Sequence, residues 1–364
     1  MTKIVPTHPY LERLKPYEPP DLEAAAARSG LEVEQLIRLN ANENSFGPSP
    51  LVAQALADCD SYAFYSDYAP LREAVARYAS VSPEQVVLSN GADELIDLLI
   101  RLLIEPGQSV VVCPPTFGIY RFFAEVSRCR VLAVPCQADF SIDVAAVESA
   151  VKESEGDARL LFLVSPSNPG GQAIPLDAMR RLLALPLMVA VDEAYIEFGG
   201  ESAVSLLPDH ENLVVIRTFS KWAGLAGLRL GYALLAPDLV NYLERIRPPY
   251  NVNEAAVVAA LATFADLETV QANVACLIAE RERLQEELAA IPWLEPLPSQ
   301  ANFILCHLRN RTPQEVVDAL IQRGIMIRKF SDPVMAEYVR ISVGRPEQNE
   351  ALLAALRELD QGER

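Results

Sequence analysis

Four polar positions, each directly after an apolar run, carry the chemistry available to this chain. Asn90-Gly91-Ala92-Asp93 follows QVVLS, Asn168 follows RLLFLVSPS, Asp192 follows LMVAV, and Ser220-Lys221 follows LVVIRTF. Taken singly, an aspartate or asparagine there is equally well a helix cap or a turn residue. Together they supply a lysine, a carboxylate, an amide and a glycine turn, a set that suits pyridoxal 5'-phosphate. Lys221 would form an imine with it, which requires an unprotonated amine, and burial beside a cation such as Arg229 lowers a lysine toward that state. Asp192 would pair with the pyridine nitrogen and keep it protonated. The turn at Gly91-Ala92-Asp93 offers backbone N–H groups at the positive end of a helix, and with Ser220 and Arg229 it would cradle a phosphate.

These groups meet only if the runs before them are neighbouring strands. From about residue 85 to 235, QVVLSN, SVVVCPP, RVLAVP, RLLFLVSP, LMVAVDE, LVVIRTFS and LRLGYALLA alternate with helical patterns, as buried parallel strands do. The clearest helix spans Asp93 to Ile104, between Gly91 and Pro106-Gly107. A doubly wound, mostly parallel α/β domain is expected, and its ligand belongs beyond the carboxyl ends of the strands. After RPPYNVN, a helical stretch without Gly or Pro runs from about Glu254 to Ala290. NFILCHL, a helix from Pro313 to Arg323, IMIRKF, YVRISVG and a closing helix follow, an α+β pattern. The expected division is an N-terminal arm over 1–40 that packs with the small domain, a large domain over 41–255, and a small one over 256–364. The arm is rich in proline, at Pro6, Pro9, Pro16, Pro19 and Pro20.

Composition removes several function classes. The 364 residues carry a formal net charge of −18, which opposes nucleic acid, whose affinity comes from Lys and Arg. No run of eighteen apolar residues is present, so no membrane span is expected. The first residues, MTKIVPTHPYLERLKPYEPPD, lack a secretory h-region, and a cytoplasmic home is expected. Cys59, Cys113, Cys129, Cys136, Cys276 and Cys306 form no C-x-x-C pair, and His8, His210 and His307 stand apart, so no metal is assigned.

The string RTFSKWAGLAGLRLGY resembles the cofactor-lysine motif of fold-type I aminotransferases, in particular the histidinol-phosphate aminotransferases. The resemblance covers nearly the whole chain: PYLERLKPYEPP, LNANENSFGPSP, SNGADELIDLLIR, CPPTFGIY, SPSNPGGQ, VDEAYIEF, PPYNVN, QANFIL and VRISVG stand in the family's order. It implies Lys221 as Schiff-base lysine and general base, and Asp192 on the pyridine nitrogen. Tyr195 and Asn168 would hydrogen-bond the phenolic oxygen, and Ala92, Asp93, Ser220 and Arg229 would hold the phosphate. Tyr65 would reach the cofactor phosphate of a second subunit, giving a homodimer with shared active sites. Arg340 and Arg328 would receive the substrate's anionic groups, with Tyr17 and Asn42 closing over it. Two departures stand out. Asn168-Pro169-Gly170-Gly171 replaces the family's N-P-T-G, and Phe117 stands where a tyrosine usually stacks on the ring.

The implied reaction is a ping-pong transamination of L-histidinol phosphate with 2-oxoglutarate. In the biosynthetic direction it forms that phosphorylated amino alcohol from imidazole-acetol phosphate and glutamate, a step of histidine biosynthesis. An aromatic amino-acid aminotransferase and, further off, a threonine-phosphate decarboxylase are the alternatives. A nucleotide-binding dehydrogenase is opposed by Gly224, Gly227 and Gly231, which do not form G-x-G-x-x-G and precede a strand. A catalytically silent homologue is opposed by the joint presence of Lys221, Asp192 and Arg229.

Overall fold

A computed structural model describes residues 9–14 and 21–361. Its strands are β1 Ile37–Leu39, β2 Val86–Ser89, β3 Ser109–Val112, β4 Arg130–Ala133, β5 Ala158–Val164, β6 Met188–Asp192, β7 Leu213–Thr218, β8 Gly231–Leu235, β9 Leu294–Pro296, β10 Phe303–Leu308, β11 Ile325–Lys329 and β12 Tyr338–Ser342. Seven of them form one sheet in the order β2-β8-β7-β6-β5-β3-β4. β3 to β7 pair in parallel wherever they are neighbours, with Val164 opposite Asp192 and Asp192 opposite Ile216. β2, β3, β7 and β8 are buried at every position, which is why their sequences read as continuous apolar runs.

One expectation about this sheet is corrected. LRLGYALLA, read with the other runs as parallel, is antiparallel to both of its neighbours, β2 and β7. The connection from β7 to β8 contains only the short helix Ala226–Leu228, too little for a crossover. A strand that turns back directly must pair antiparallel. The helix after β2 runs Gly91–Leu103, so Ala92 and Asp93 lie in its first turn.

The second sheet has the order β1-β11-β12-β10-β9, with only β1 and β11 parallel. Within 1–40, helix Leu22–Ser29 and β1 are regular structure, and Ile37 to Leu39 pair with Ile325 to Ile327. The single helix expected from Glu254 to Ala290 is two, Glu254–Ala265 and Leu267–Ala289, bent by 83°. Asp266 makes the break. Its N–H closes the first helix on Ala262 O, and its carboxylate takes the Thr269 hydroxyl at 2.7 Å in the first turn of the second. Ala256 to Leu277 pack into the core of the first sheet, whereas Leu284 and Leu288 belong to the core of the second. The helix expected to reach Arg323 ends at Ile321.

Behind β6 and β7 lies a buried charged cluster. Arg217 donates from Nε to Glu193 Oε2 at 2.9 Å and from Nη2 to Ser202 Oγ at 2.8 Å. Glu197 Oε2 is buried with no hydrogen-bond partner among the described residues, and burial pushes this carboxyl up to about 7 although Arg217 pulls it down. The folded chain therefore holds this proton more tightly than the unfolded chain. Its stabilising contribution is complete below the ordinary carboxyl range and is lost as pH rises through about 7. Glu197→Gln is accordingly expected to match the parent chain at pH 5 and to exceed it by roughly 1–2 kcal/mol at pH 8. Denaturant unfolding at the two pH values measures the difference.

Candidate active site

The carboxyl ends of β5, β6 and β7 bring Asn168, Asp192 and Lys221 to one edge of the large sheet. Among the described residues there are three lysines. Lys152 and Lys329 are exposed, and Lys221 alone is half-buried. Its Nζ donates to Ala41 O at 3.1 Å. Burial first, then the charge of Arg340, lower its ammonium to about 8; Arg229 adds to this, and Glu43 and Asp93 oppose it. An amine so placed is a usable nucleophile near neutral pH.

Asp192 is buried, and each of its two oxygens has a donor. Oδ1 accepts the Ala194 N–H at 3.0 Å, and Oδ2 accepts the Tyr120 hydroxyl at 2.7 Å. Burial pushes the carboxyl up to about 6, those two donors pull it down, and Asp93 and Glu193 push it up. It is therefore ionised at pH 7 and able to pair with a cation. Sequence reasoning missed Tyr120. It sits three residues after Phe117 in CPPTFGIY, and only the fold shows that its hydroxyl reaches β6.

A candidate anion cradle lies beside these groups. The amides of Ala92 and Asp93 belong to a helix's first turn, where N–H groups lack intrahelical partners. Arg229 crosses over that turn, donating to Asp93 Oδ2 at 3.3 Å and to Ser220 Oγ at 3.5 Å. Gly91 has φ of +77°, and a Cβ there would lie 2.7 Å from Arg229 Nη2. Glycine thus admits both the turn and the guanidinium. The Arg229 and Asp93 side chains are 45% and 42% exposed, so their pair is weak and an incoming dianion can displace it.

A second set of polar groups spans the two sheets. Tyr195 OH accepts from Asn42 Nδ2 at 3.0 Å and from Asn168 Nδ2 at 3.4 Å. Asn168 Oδ1 accepts from Arg340 Nη1 at 2.7 Å, and Arg340 Nη2 donates to Asn40 O at 3.0 Å. Arg340 also lies over the Phe303 ring at 5.1 Å. Asn42, in the left-handed region at φ 54°, is held by Ser342 and by Asn302. Ser342 and Asn302 are further residues that the sequence did not reveal. Arg328 on β11 is in register with Arg340 on β12, which places two guanidinium-bearing positions side by side.

Of the remaining expected residues, one falls outside the described residues and two are placed by aromatic contacts. Tyr17 falls outside the described residues. Phe117 is half-buried with its ring edge-on to Tyr120 at 5.7 Å. Tyr65 is 78% exposed and stacks on Tyr250 at 4.1 Å.

Residues 34–356 match the family described as aminotransferase class I and II. The chain is 48% identical to a histidinol-phosphate aminotransferase of Roseiflexus castenholzii, over 96% of this chain and 97% of that protein. The chain belongs to the histidinol-phosphate aminotransferases of class I and II. A chloroplastic histidinol-phosphate aminotransferase of Nicotiana plumbaginifolia is 41% identical to this aminotransferase, over 96% of the chain and 85% of the relative. The solved histidinol-phosphate aminotransferase of Sinorhizobium meliloti, in complex with pyridoxal-5'-phosphate, superposes with a TM-score of 0.90 at 29% identity, covering all of both chains. The aminotransferase thus has the expected fold, with one antiparallel strand in its large sheet.

Proposed function

We propose that this aminotransferase uses pyridoxal 5'-phosphate to move an amino group between L-histidinol phosphate and 2-oxoglutarate, as a step of histidine biosynthesis. The observation that carries this reading is the grouping of Lys221, Asp192, Asn168, Tyr195 and Arg340 in a chain 48% identical to a histidinol-phosphate aminotransferase. The donor set fits the cofactor. A ring nitrogen needs the buried carboxylate, a phosphate needs the cradle that a Cβ at Gly91 would fill, and an aldehyde needs an amine that loses its proton near pH 8. When bound, the cofactor supplies an electron-withdrawing ring that stabilises negative charge on the substrate carbon.

The chain's own residues do the rest. Lys221 would anchor the cofactor, and its amine would carry the proton off the substrate carbon. Asp192 keeps the ring nitrogen protonated. Asn168 faces both ways, with Nδ2 beside Tyr195 on the phenolic side and Oδ1 on Arg340. A single amide thereby ties cofactor orientation to the arginine that receives the substrate's anion. Arg340 and Arg328 form the planar forks for phosphate or carboxylate. Asn42 closes over the substrate.

Two copies complete the site in this reading. Phe64, Tyr65 and Tyr250 are 75%, 78% and 55% exposed, an aromatic surface of the kind a second subunit covers. Tyr65 would then serve the phosphate bound by the other subunit. Six unpaired thiols suit a reducing cytoplasm.

Turnover with 2-oxoglutarate tests the substrate. L-histidinol phosphate is expected to exceed phenylalanine in kcat/KM by about 10² or more, because the paired arginines lack a phosphate with phenylalanine. Threonine phosphate is expected to release no carbon dioxide. Failure to turn over histidinol phosphate overturns the assignment.

A further inference from the structure

Tyr120 lies where the mechanism so far has no use for it. Helix Ile119–Val126 begins just after Gly118, and Tyr120 in its first turn is fully buried. Its ring stacks on Phe162 of β5 with centroids 4.7 Å apart and planes 9° from parallel. Phe117 closes the cluster edge-on. Phe162 is in register with Ala190, two residues before Asp192 on β6, so the stack is anchored on the strand beside the carboxylate. Two aromatic contacts thus aim the phenolic oxygen, and it meets Asp192 Oδ2 at 2.7 Å.

A carboxylate can pair with a ring cation in one orientation only if its own rotation is stopped. The Ala194 N–H stops one oxygen of Asp192. Nothing else described on Oδ2 does the same except the tyrosine. We propose that Tyr120 is the positioning residue for Asp192: its hydroxyl clamps Oδ2 and keeps the group a carboxylate, oriented to hold the cofactor's ring nitrogen. Each oxygen then has one donor from the protein and one lone pair left for the ring. Removing the hydroxyl frees the carboxyl to rotate and to take up a proton at higher pH, because the clamp favours the charged form and offsets part of the larger push from burial.

The proposal rests on the reading of Asp192 as the ring-nitrogen partner, and its test separates the two. Pyridoxal 5'-phosphate affinity of the full chain is measured from pH 5 to 9 for the parent, Tyr120→Phe and Asp192→Asn, together with kcat, KM and melting temperature. Phenylalanine keeps the stack on Phe162. Tyr120→Phe is expected to bind cofactor about 10-fold more weakly at pH 7, the loss expected for a hydrogen bond to a charged group. The acid limb of its affinity profile is expected to move up by about one pH unit, and kcat to fall about 10-fold with KM changed less than threefold. A lower melting temperature with parental affinity and acid limb marks a packing role only and overturns the proposal. If Tyr120→Phe behaves as the parent while Asp192→Asn loses cofactor, the clamp alone is refuted. If Asp192→Asn keeps parental affinity and turnover, the reading of Asp192 falls and the clamp with it.

Discussion

Lys221→Ala is expected to lower turnover by about 10⁴-fold or more, because in the proposed reaction one side chain supplies both the cofactor's covalent anchor and the proton carrier. The variant is expected still to bind cofactor noncovalently, since the proposed partner Asp192 and the cradle around Gly91 and Arg229 remain. Lys221→Arg is expected to be equally inactive, because a guanidinium keeps its charge and is no nucleophile at working pH. The parent's pH dependence follows from burial and Arg340. Covalent capture of cofactor rises with pH while the ammonium loses its proton and levels off above about 8. An ordinary lysine would still be rising at pH 10. Stopped-flow absorbance of cofactor capture between pH 6 and 10 reads this midpoint.

Arg340→Gln carries the second large effect. The guanidinium donates to Asn168 and to Asn40 O, lies over Phe303, and in the proposed reaction receives the substrate's anion. Removing it is expected to lower kcat/KM by about 10² to 10³, the loss of a bidentate charge-assisted contact, seen mainly in KM. Arg340→Lys is expected to recover only part, because an ammonium cannot span Asn168 and Asn40 as the fork does. A second consequence has a definite sign. Arg340 is the largest charge lowering the Lys221 ammonium, so without it the amine holds its proton more tightly and the capture midpoint moves above about 8. Steady-state kinetics with both substrates, together with the capture profile, checks both parts. Unchanged KM would remove Arg340 from the substrate's anion site.

Much of this site was legible because buried strands write themselves as apolar runs, and their ends are marked where polarity returns. Asn168, Asp192 and Lys221 were found that way, and the glycine turn before Ala92 and Asp93 likewise. The order and direction of strands were not. β8 is as apolar as its neighbours, and only the short connection after β7 makes it antiparallel. The break at Asp266 carries neither Gly nor Pro, so helix propensity runs through it, and an aspartate at the start of the second helix was the one signal available. Tyr120 escaped because periodicity places its side chain in an apolar cluster and says nothing of a hydroxyl reaching across to β6. Asn42, Asn302 and Ser342 meet across 260 to 300 positions of sequence, a convergence that no local pattern records. The register of Arg328 with Arg340 is equally a product of sheet order, twelve residues apart in the chain yet opposite in space.

Borohydride reduction of the chain loaded with pyridoxal 5'-phosphate, followed by peptide mass mapping, tests the central claim most directly. One stable cofactor adduct is expected, on the peptide containing Lys221, and it is expected to be absent from Lys221→Ala. An adduct confined to Lys152 or Lys329, or no adduct in a chain that still transfers amino groups, would contradict it.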